Sequence, residues 1–154
     1  MNRKKKVLII AGIIILIIQF IQPAHNKSQQ QLPTDISKIH VVPDTVQKIL
    51  NNSCYDCHSN NTRYPWYFNI QPVGWFLANH IKTGKANLNF SEFGSYSTRK
   101  QANKLRAISE TIKDRSMPIS SYTLIHTDAK LSEKQKDLIK SWVLTIHDSL
   151  MEKH

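Results

Sequence analysis

The sequence predicts a small all-α domain with long connecting loops, preceded by a separate apolar helix at the N-terminus. Apolar residues recur at helical spacing in four segments, and helix start and stop residues bound these segments. No stretch alternates apolar and polar residues for long enough to predict a strand. The chain has 154 residues, 40% of them hydrophobic, which is enough for one compact domain.

The N-terminal segment begins with the cationic stretch NRKKK, which is followed by an apolar run over residues 7–21. This combination is typical of an export signal or a membrane anchor. The run is short for a spanning helix, which needs about 20 residues, yet no A-x-A cleavage site follows it. We therefore predict an uncleaved, single-pass anchor or signal helix over residues 1–24, in the cytoplasmic membrane, with the rest of the chain exported to the periplasm. Cleavage to a soluble periplasmic protein is the alternative.

Residues 25–38 are polar and rich in glutamine, so we expect them to form a flexible tether between the N-terminal segment and the domain. The domain itself is predicted over residues 39–150. Residues 85–96 within it are expected to form a loop. Four helices are expected, over residues 44–52, 72–84, 98–114 and 132–149.

Each predicted helix has an end signal and an apolar face. Asp44 follows a proline at the start of the first helix. Pro72 is tolerated in the first turn of the second helix, and Gly84 is expected to end it. Ser97 caps the third helix, and the fourth begins with the capping box S-E-K-Q over residues 132–135. The residues expected to face inward are Val46, Ile49 and Leu50; Val73, Phe76, Leu77, His80 and Ile81; Leu105, Ile108 and Ile112; and Leu138, Ile139, Trp142 and Ile146.

The formal net charge of +10 is concentrated in part at the N-terminus. Four of the positive charges stand at residues 3–6, before any acidic residue, and the rest of the chain is still moderately basic. This balance favours an acidic partner protein or a membrane surface. A nucleic-acid partner is not expected, because the lysines and arginines form no stripe outside the N-terminus.

Both cysteines of the chain stand in the stretch NSCYDCHSN, where a histidine directly follows the second one. C-x-x-C-H is the attachment signature of c-type haem. In that chemistry Cys54 and Cys57 each form a thioether with a vinyl group of the porphyrin, and His58 binds the iron. His58 is then expected to donate its other ring N–H to a carbonyl group that fixes its orientation.

Other kinds of site share the C-x-x-C spacing. A thioredoxin-like redox centre needs a βαβ context, whereas a helix leads into this motif. A structural zinc site needs four ligands, usually with a second Cys/His pair at close spacing, and the remaining histidines form no such pair. A disulfide closed over two residues would stabilise the fold only weakly. The sequence therefore predicts one covalently bound haem c with its iron.

An iron with His58 on one side needs a second axial ligand or an open site. Met117, in the stretch DRSMPISSY, is the predicted sixth ligand, because it precedes a stiff proline in a loop and lies away from the chain ends. His80, on the apolar face of the second helix, is the alternative, and His126 is a third candidate. With none of them bound, the iron would be five-coordinate and open to small ligands or peroxide.

Two aromatic stretches, RYPWYF and GWF, are expected to wall the porphyrin through Trp66 and Trp75. The alternative is that these side chains, like Trp142, only fill a small core. Arg63 and Arg115 are candidates for pairing with haem propionates, because guanidinium groups suit carboxylates. Solvated surface positions are the more common fate of arginines.

Residues 38–147 resemble the bacterial haem-binding domain family of small exported, monohaem c-type cytochromes. The resemblance rests on C-x-x-C-H, Tyr-Pro-Trp-Tyr, Asn-His-x-x-x-Gly-Lys, Leu-Asn-Phe-Ser, Met-Pro and Tyr-x-x-x-His-x-x-Ala-x-Leu-Ser, which occur in the family's order. It implies covalent haem at Cys54 and Cys57, with His58 as axial ligand, in a small cytochrome c-like helical domain. Members often have a second proline after Met-Pro and a tryptophan at the position of Phe93, where this chain has Ile119 and Phe93.

We therefore expect a membrane-tethered cytochrome that transfers single electrons on the exported side and docks transiently on an acidic redox partner. The alternative is a haem-based sensor or small-ligand binder with an open or displaceable sixth site. An enzymatic role is not expected, since a haem peroxidase would need a distal His–Arg pair and none is evident in the sequence.

Overall fold

The computed structural model describes residues 2–28 and 30–152, and its regular structure there is helical, which confirms the predicted all-α class. Within these residues the strand-like pairing is limited to one antiparallel bridge between Lys27 and Asn61. Short 3-10 helices cover Trp66–Asn69, Phe90–Ser95 and Thr127–Ala129. The α-helices of the described chain are α1 Arg3–Ile18, α2 Ile36–Ile39, α3 Asp44–Ser53, α4 Tyr55–His58, α5 Val73–Asn87, α6 Thr98–Lys113, α7 Ser120–Ile125 and α8 Glu133–Met151.

The four helices predicted from the sequence correspond to α3, α5, α6 and α8. The end of α5 differs from the prediction, because the helix continues through Gly84 and stops at Asn87. Gly84 is not a helix stop; it lies against Cys57 of α4, where a side chain would have no room. The short helices α2, α4 and α7 are not predicted, since four to six residues carry too little periodicity to be recognised.

The hydrophobic core lies between α3, α6 and α8. α6 and α8 pack along each other, and α3 packs on α8. Trp142 belongs to this core, and its indole N–H donates to the carbonyl oxygen of Val41 at 3.1 Å. The capping box predicted for α8 is present, with Ser132 and Gln135 as its partners. Fully or almost fully buried core side chains include Leu50, Phe90, Phe93, Leu105, Ile139 and Val143.

Some described residues of the segment 25–38, for which a flexible tether is predicted, contact the domain. Asn26 donates its side-chain amide to the Ser59 carbonyl at 2.8 Å and to the Thr62 hydroxyl at 2.9 Å. Further along, Asp35 and Ile36 are buried. The Asn26 amide thus bonds groups of a distant loop, which the polar composition of the segment does not indicate.

The N-terminal helix α1 carries most of the apolar run, and most of its apolar side chains are exposed. The membrane anchor predicted over residues 1–24 is not supported. No helix among the described residues is both long enough and apolar enough to cross a membrane. Directly after α1, the chain is bonded to the start of α5. The backbone N–H of Gln71 donates to Gln19 Oε1, and its side-chain amide donates to Gln22 Oε1, both at 2.9 Å.

Candidate functional site

The C-x-x-C-H motif sits at a bend between two helices. α3 ends at Ser53, Cys54 leaves the helical conformation with φ −130°, and the one-turn helix α4 follows. The backbone N–H of His58 closes this turn on the carbonyl oxygen of Cys54 at 2.9 Å. The bend brings both cysteines and the histidine to the wall of one cavity.

His58 is oriented by a backbone carbonyl, as is expected for a metal-binding imidazole. Its Nδ1 lies 3.0 Å from the carbonyl oxygen of Leu88, just beyond the end of α5. That carbonyl is 30 residues away in the chain, so no local pattern could identify it. Burial lowers the pKa of His58, which favours the neutral imidazole that binds metals. With Nδ1 as donor, Nε2 is the nitrogen left for a ligand bond.

The two cysteines are free thiols in the structure. Burial, and then the nearby Cys57, raises the pKa of the Cys54 thiol to about 12. Burial, and then the Asp56 carboxylate, raises the pKa of the Cys57 thiol to about 11. Catalytic redox cysteines have lowered thiol pKa values, so this environment does not favour the thioredoxin-like alternative. Within residues 2–28 and 30–152, no group of three or more His, Cys, Asp and Glu side chains could hold a metal ion.

The cavity beside the motif has a volume of about 420 Å³ and a mostly apolar wall. Its sides come from the motif, from α5, from α6 and from the loop that leads into α7. An apolar, concave pocket with a few polar groups is the usual form of a cofactor site. The apolar lining includes Phe90, Ile108, Ile112, Pro118, Ile119 and Leu131.

Two of the three candidate sixth ligands line the same cavity as His58. His80 is bonded through Nδ1 to the carbonyl oxygen of Phe76 at 3.0 Å, which leaves its Nε2 as the nitrogen for a ligand bond, as in His58. Met117 lies in the loop between α6 and α7, and its side chain is 38% exposed. His126 is not part of the lining, and its Nε2 is hydrogen-bonded to the Tyr67 hydroxyl at 2.7 Å.

The two tryptophans expected to wall the porphyrin lie outside the cavity lining. Trp66 is 77% exposed and is not part of the cavity lining. Trp75 is also outside the lining, and its indole N–H donates to the Ile21 carbonyl at 2.7 Å. Side chains on the opposite face of a helix cannot reach a site that its other face lines. The cavity is therefore walled mainly by aliphatic side chains of α6 and of the loop before α7.

The arginines proposed for haem propionates are also outside the cavity lining. Arg63 is engaged with the Asp56 carboxylate through Nε at 3.2 Å and with the Asn51 carbonyl at 2.8 Å. Arg115 is exposed and lies 3.9 Å from Glu133. Both arginines thus lie at the surface or in an ion pair within the protein, which was the alternative to binding a propionate.

A buried carboxylate between the two cysteines was not recognised from the sequence. Asp56 accepts hydrogen bonds from the Arg63 backbone N–H at 3.0 Å and from the Tyr122 hydroxyl at 2.7 Å. Burial, with the bond to Asp56, raises the pKa of Tyr122, so its hydroxyl stays a donor. Because Tyr122 belongs to α7, Asp56 ties the motif to the element that follows Met117. A single Asp in a motif spacer gives no signal of this role in the sequence.

We expect Tyr122→Phe to lower the free energy of unfolding by about 2 kcal/mol, because it leaves a buried carboxylate with one donor fewer. Chemical denaturation of the full chain measures this loss. Tyr55→Phe is the matched control, since the buried Tyr55 hydroxyl lies near Gln47 but makes no close hydrogen bond with the described residues. Removing it should be neutral or stabilising. Equal destabilisation by the two substitutions would contradict the role given to the Asp56–Tyr122 bond.

The residues collected at the cavity fit a haem group. Two thiols and an oriented imidazole lie along one wall, and the remainder of the wall is apolar apart from a few polar positions. Haem brings a large apolar ring and an iron that accepts an imidazole nitrogen. The cavity therefore offers burial for the ring, a nitrogen for the iron and two sulfurs beside them.

Comparison with known proteins agrees with this fit. The haem-binding domain family matches residues 13–145, which is well over half of the chain. The match extends through the segment 25–38, in agreement with the contacts that join this segment to the domain. No curated protein and no solved structure matches the chain. On the extent of the family match, and with a cavity suited to the cofactor, the chain belongs to the family of haem-binding domains.

Proposed function

We propose that this protein holds one haem c through thioethers from Cys54 and Cys57, with His58 as an axial ligand, and that it transfers single electrons. The observation that carries the proposal is the cavity that the C-x-x-C-H motif shares with His80 and Met117. It offers the iron an oriented ligand on one side and candidate ligands from other elements. When bound, haem supplies a one-electron iron couple.

Covalent attachment is supported by the state and position of the thiols. Cys54 and Cys57 are unpaired, and both line the cavity beside His58. When haem is bound, each reduced cysteine would add its S–H across one vinyl double bond, with the sulfur bonding one vinyl carbon and the proton going to the neighbouring carbon. The chain's own part is to present both sulfurs from one helical turn, with the imidazole held by Leu88.

Met117 is the proposed sixth ligand. α5 packs against α4, and the carbonyl that orients His58 follows directly after α5. His80 thus belongs to an element on the His58 side of the cavity, whereas Met117 comes from the loop after α6. A second iron ligand would be more readily supplied by a wall of the cavity other than the one that carries His58. A thioether at this position raises the reduction potential, which suits an electron carrier.

The proposed setting is the exported side of the cytoplasmic membrane, either attached through the N-terminal segment or as a released periplasmic protein. The cationic stretch before an apolar run supports export. The net charge of +10 supports transient docking on an acidic redox partner. The proposed role is electron carriage, without catalysis of a substrate reaction.

Covalent attachment is tested by expressing the full chain with a c-type cytochrome maturation system and measuring the mass of the purified protein. The expected mass is that of the polypeptide plus one haem, and the colour should resist extraction with acidified acetone. Cys54→Ala together with Cys57→Ala is the matched control, whose haem should be extractable. A wild-type mass of bare polypeptide would refute the proposed haem c.

Sensing of a small ligand is the second candidate function, because the exposed Met117 thioether is one that a competing ligand could displace. Carbon monoxide separates the two roles. The visible spectrum of the reduced wild-type protein is expected to remain low-spin and unchanged under carbon monoxide, as an electron carrier requires. Rapid formation of a carbon monoxide complex would instead support the sensor and count against electron transfer.

A further inference from the structure

The cavity is lined by two side chains that are charged at neutral pH, Asp56 and Lys104. The charge of Asp56 is compensated within the protein by Arg63, and its second oxygen accepts the Tyr122 hydroxyl at 2.7 Å. Asp56 therefore has no need of a charged ligand. The positive charge of Lys104 is the one for which a compensating group has to be found.

Lys104 is a half-buried side chain of α6, placed one helical turn before Ile108, which also lines the cavity. It makes no ion pair or hydrogen bond with any residue in the described part of the chain. Other half-buried lysines of this protein do have partners. Lys136 pairs with Glu133 and Lys140 pairs with Asp137, both at 2.8 Å. A cation at the wall of a mostly apolar cavity is costly unless an anion meets it.

We propose that Lys104 binds a propionate carboxylate of the haem, an inference that rests on the proposed function. Haem carries two propionates, and these are anions that an apolar cavity must place next to a donor or in water. Arg63 and Arg115, the candidates by sequence, are paired with carboxylates of the protein. Among the lysines and arginines of the described residues, Lys104 alone lines the cavity. Its ammonium group can donate up to three hydrogen bonds to carboxylate oxygens.

The pairing has an electrical consequence for the iron. A cation beside the propionate offsets a negative charge close to the ring, in surroundings where charges are weakly screened. Without it, the uncompensated propionate stabilises the ferric state over the ferrous state. Removing the charge of Lys104 should therefore lower the reduction potential, while retaining it as arginine should not.

The test measures reduction potentials of the purified holoprotein by spectroelectrochemistry for wild type, Lys104→Gln, Lys104→Arg and Lys100→Gln. Lys100 is the matched control, because it lies one turn earlier on α6 and its ammonium group stands 4.2 Å over the Tyr96 ring, outside the cavity lining. We expect a lower potential for Lys104→Gln, and values close to wild type for Lys104→Arg and Lys100→Gln. A lower yield of haem-loaded protein from maturation of Lys104→Gln alone would also support the pairing.

Equal potentials for Lys104→Gln and Lys100→Gln would overturn the role of Lys104 while leaving the proposed function intact. Haem that is bound without thioethers would refute haem c, yet the same four potentials would still test Lys104, because the pairing involves only the propionate. A wild-type chain that holds no haem would overturn both proposals.

Discussion

Replacing Gly84 with alanine is expected to destabilise the domain by about 3 kcal/mol and to reduce the yield of haem-loaded protein sharply. A methyl group at this position would lie 2.6 Å from the Cys57 carbonyl oxygen and 3.2 Å from the Cys57 Cβ. Neither atom is the end of a flexible side chain, so α5 and α4 must separate. That movement also shifts the Leu88 carbonyl away from His58, because Leu88 directly follows α5.

The measurements are chemical denaturation and the ratio of haem absorbance to protein after maturation. Gly12→Ala is the matched control, since its added methyl group meets nothing within 4 Å. Both substitutions gain about 1 kcal/mol of helix propensity, so a difference between them reports the contact with Cys57. A Gly84→Ala protein as stable and as haem-rich as Gly12→Ala would show that α4 and α5 do not pack as closely as described.

Replacing Met117 with alanine is expected to remove the sixth ligand and to convert a closed haem into an open one. The absorption spectrum should change from low-spin to high-spin, and the reduced protein should now bind carbon monoxide. The charge-transfer band that methionine–iron ligation produces in the far red should disappear. Stability should change less than the spectrum does, because the Met117 side chain is partly exposed and contributes little buried area.

His80→Ala is the matched substitution for the rival ligand, since His80 lines the same cavity. Its spectrum is expected to match that of wild type. The reverse result, a spectral change with His80→Ala and none with Met117→Ala, would assign the sixth position to the imidazole. If neither substitution changes the spectrum, neither Met117 nor His80 is the sixth ligand.

Much of the helical framework could be predicted because its signals are local. The apolar faces of α3, α6 and α8 follow helical spacing, and the capping box at the start of α8 is contained in four adjacent residues. Gly84 shows the limit of such rules. Glycine commonly ends a helix, yet Gly84 lies within α5. A side chain has no room there, because Cys57 of α4 packs against this position.

Other features depend on the surroundings of a residue rather than on its type. Trp66 and Trp75 have the right chemistry for a haem wall, but neither lines the cavity. Lys104 belongs to no motif, and only the structure places it in the cavity wall. The Gln-rich segment 25–38 looked solvated, whereas Asn26 is bonded to the loop after the motif. Each of these outcomes depends on contacts between residues far apart in the chain.

The sequence by itself determined the all-α class, the family and the position of the C-x-x-C-H motif, because periodicity, capping and motif spacing are all contained in short stretches. Only the tertiary structure decided that Leu88 orients His58, that Asp56 is held by Tyr122 and Arg63, and that Lys104 enters the cavity wall. The physical reason is that burial and hydrogen bonding are properties of packed elements. They are settled when α4, α5, α6 and α7 come together, and no single segment specifies them.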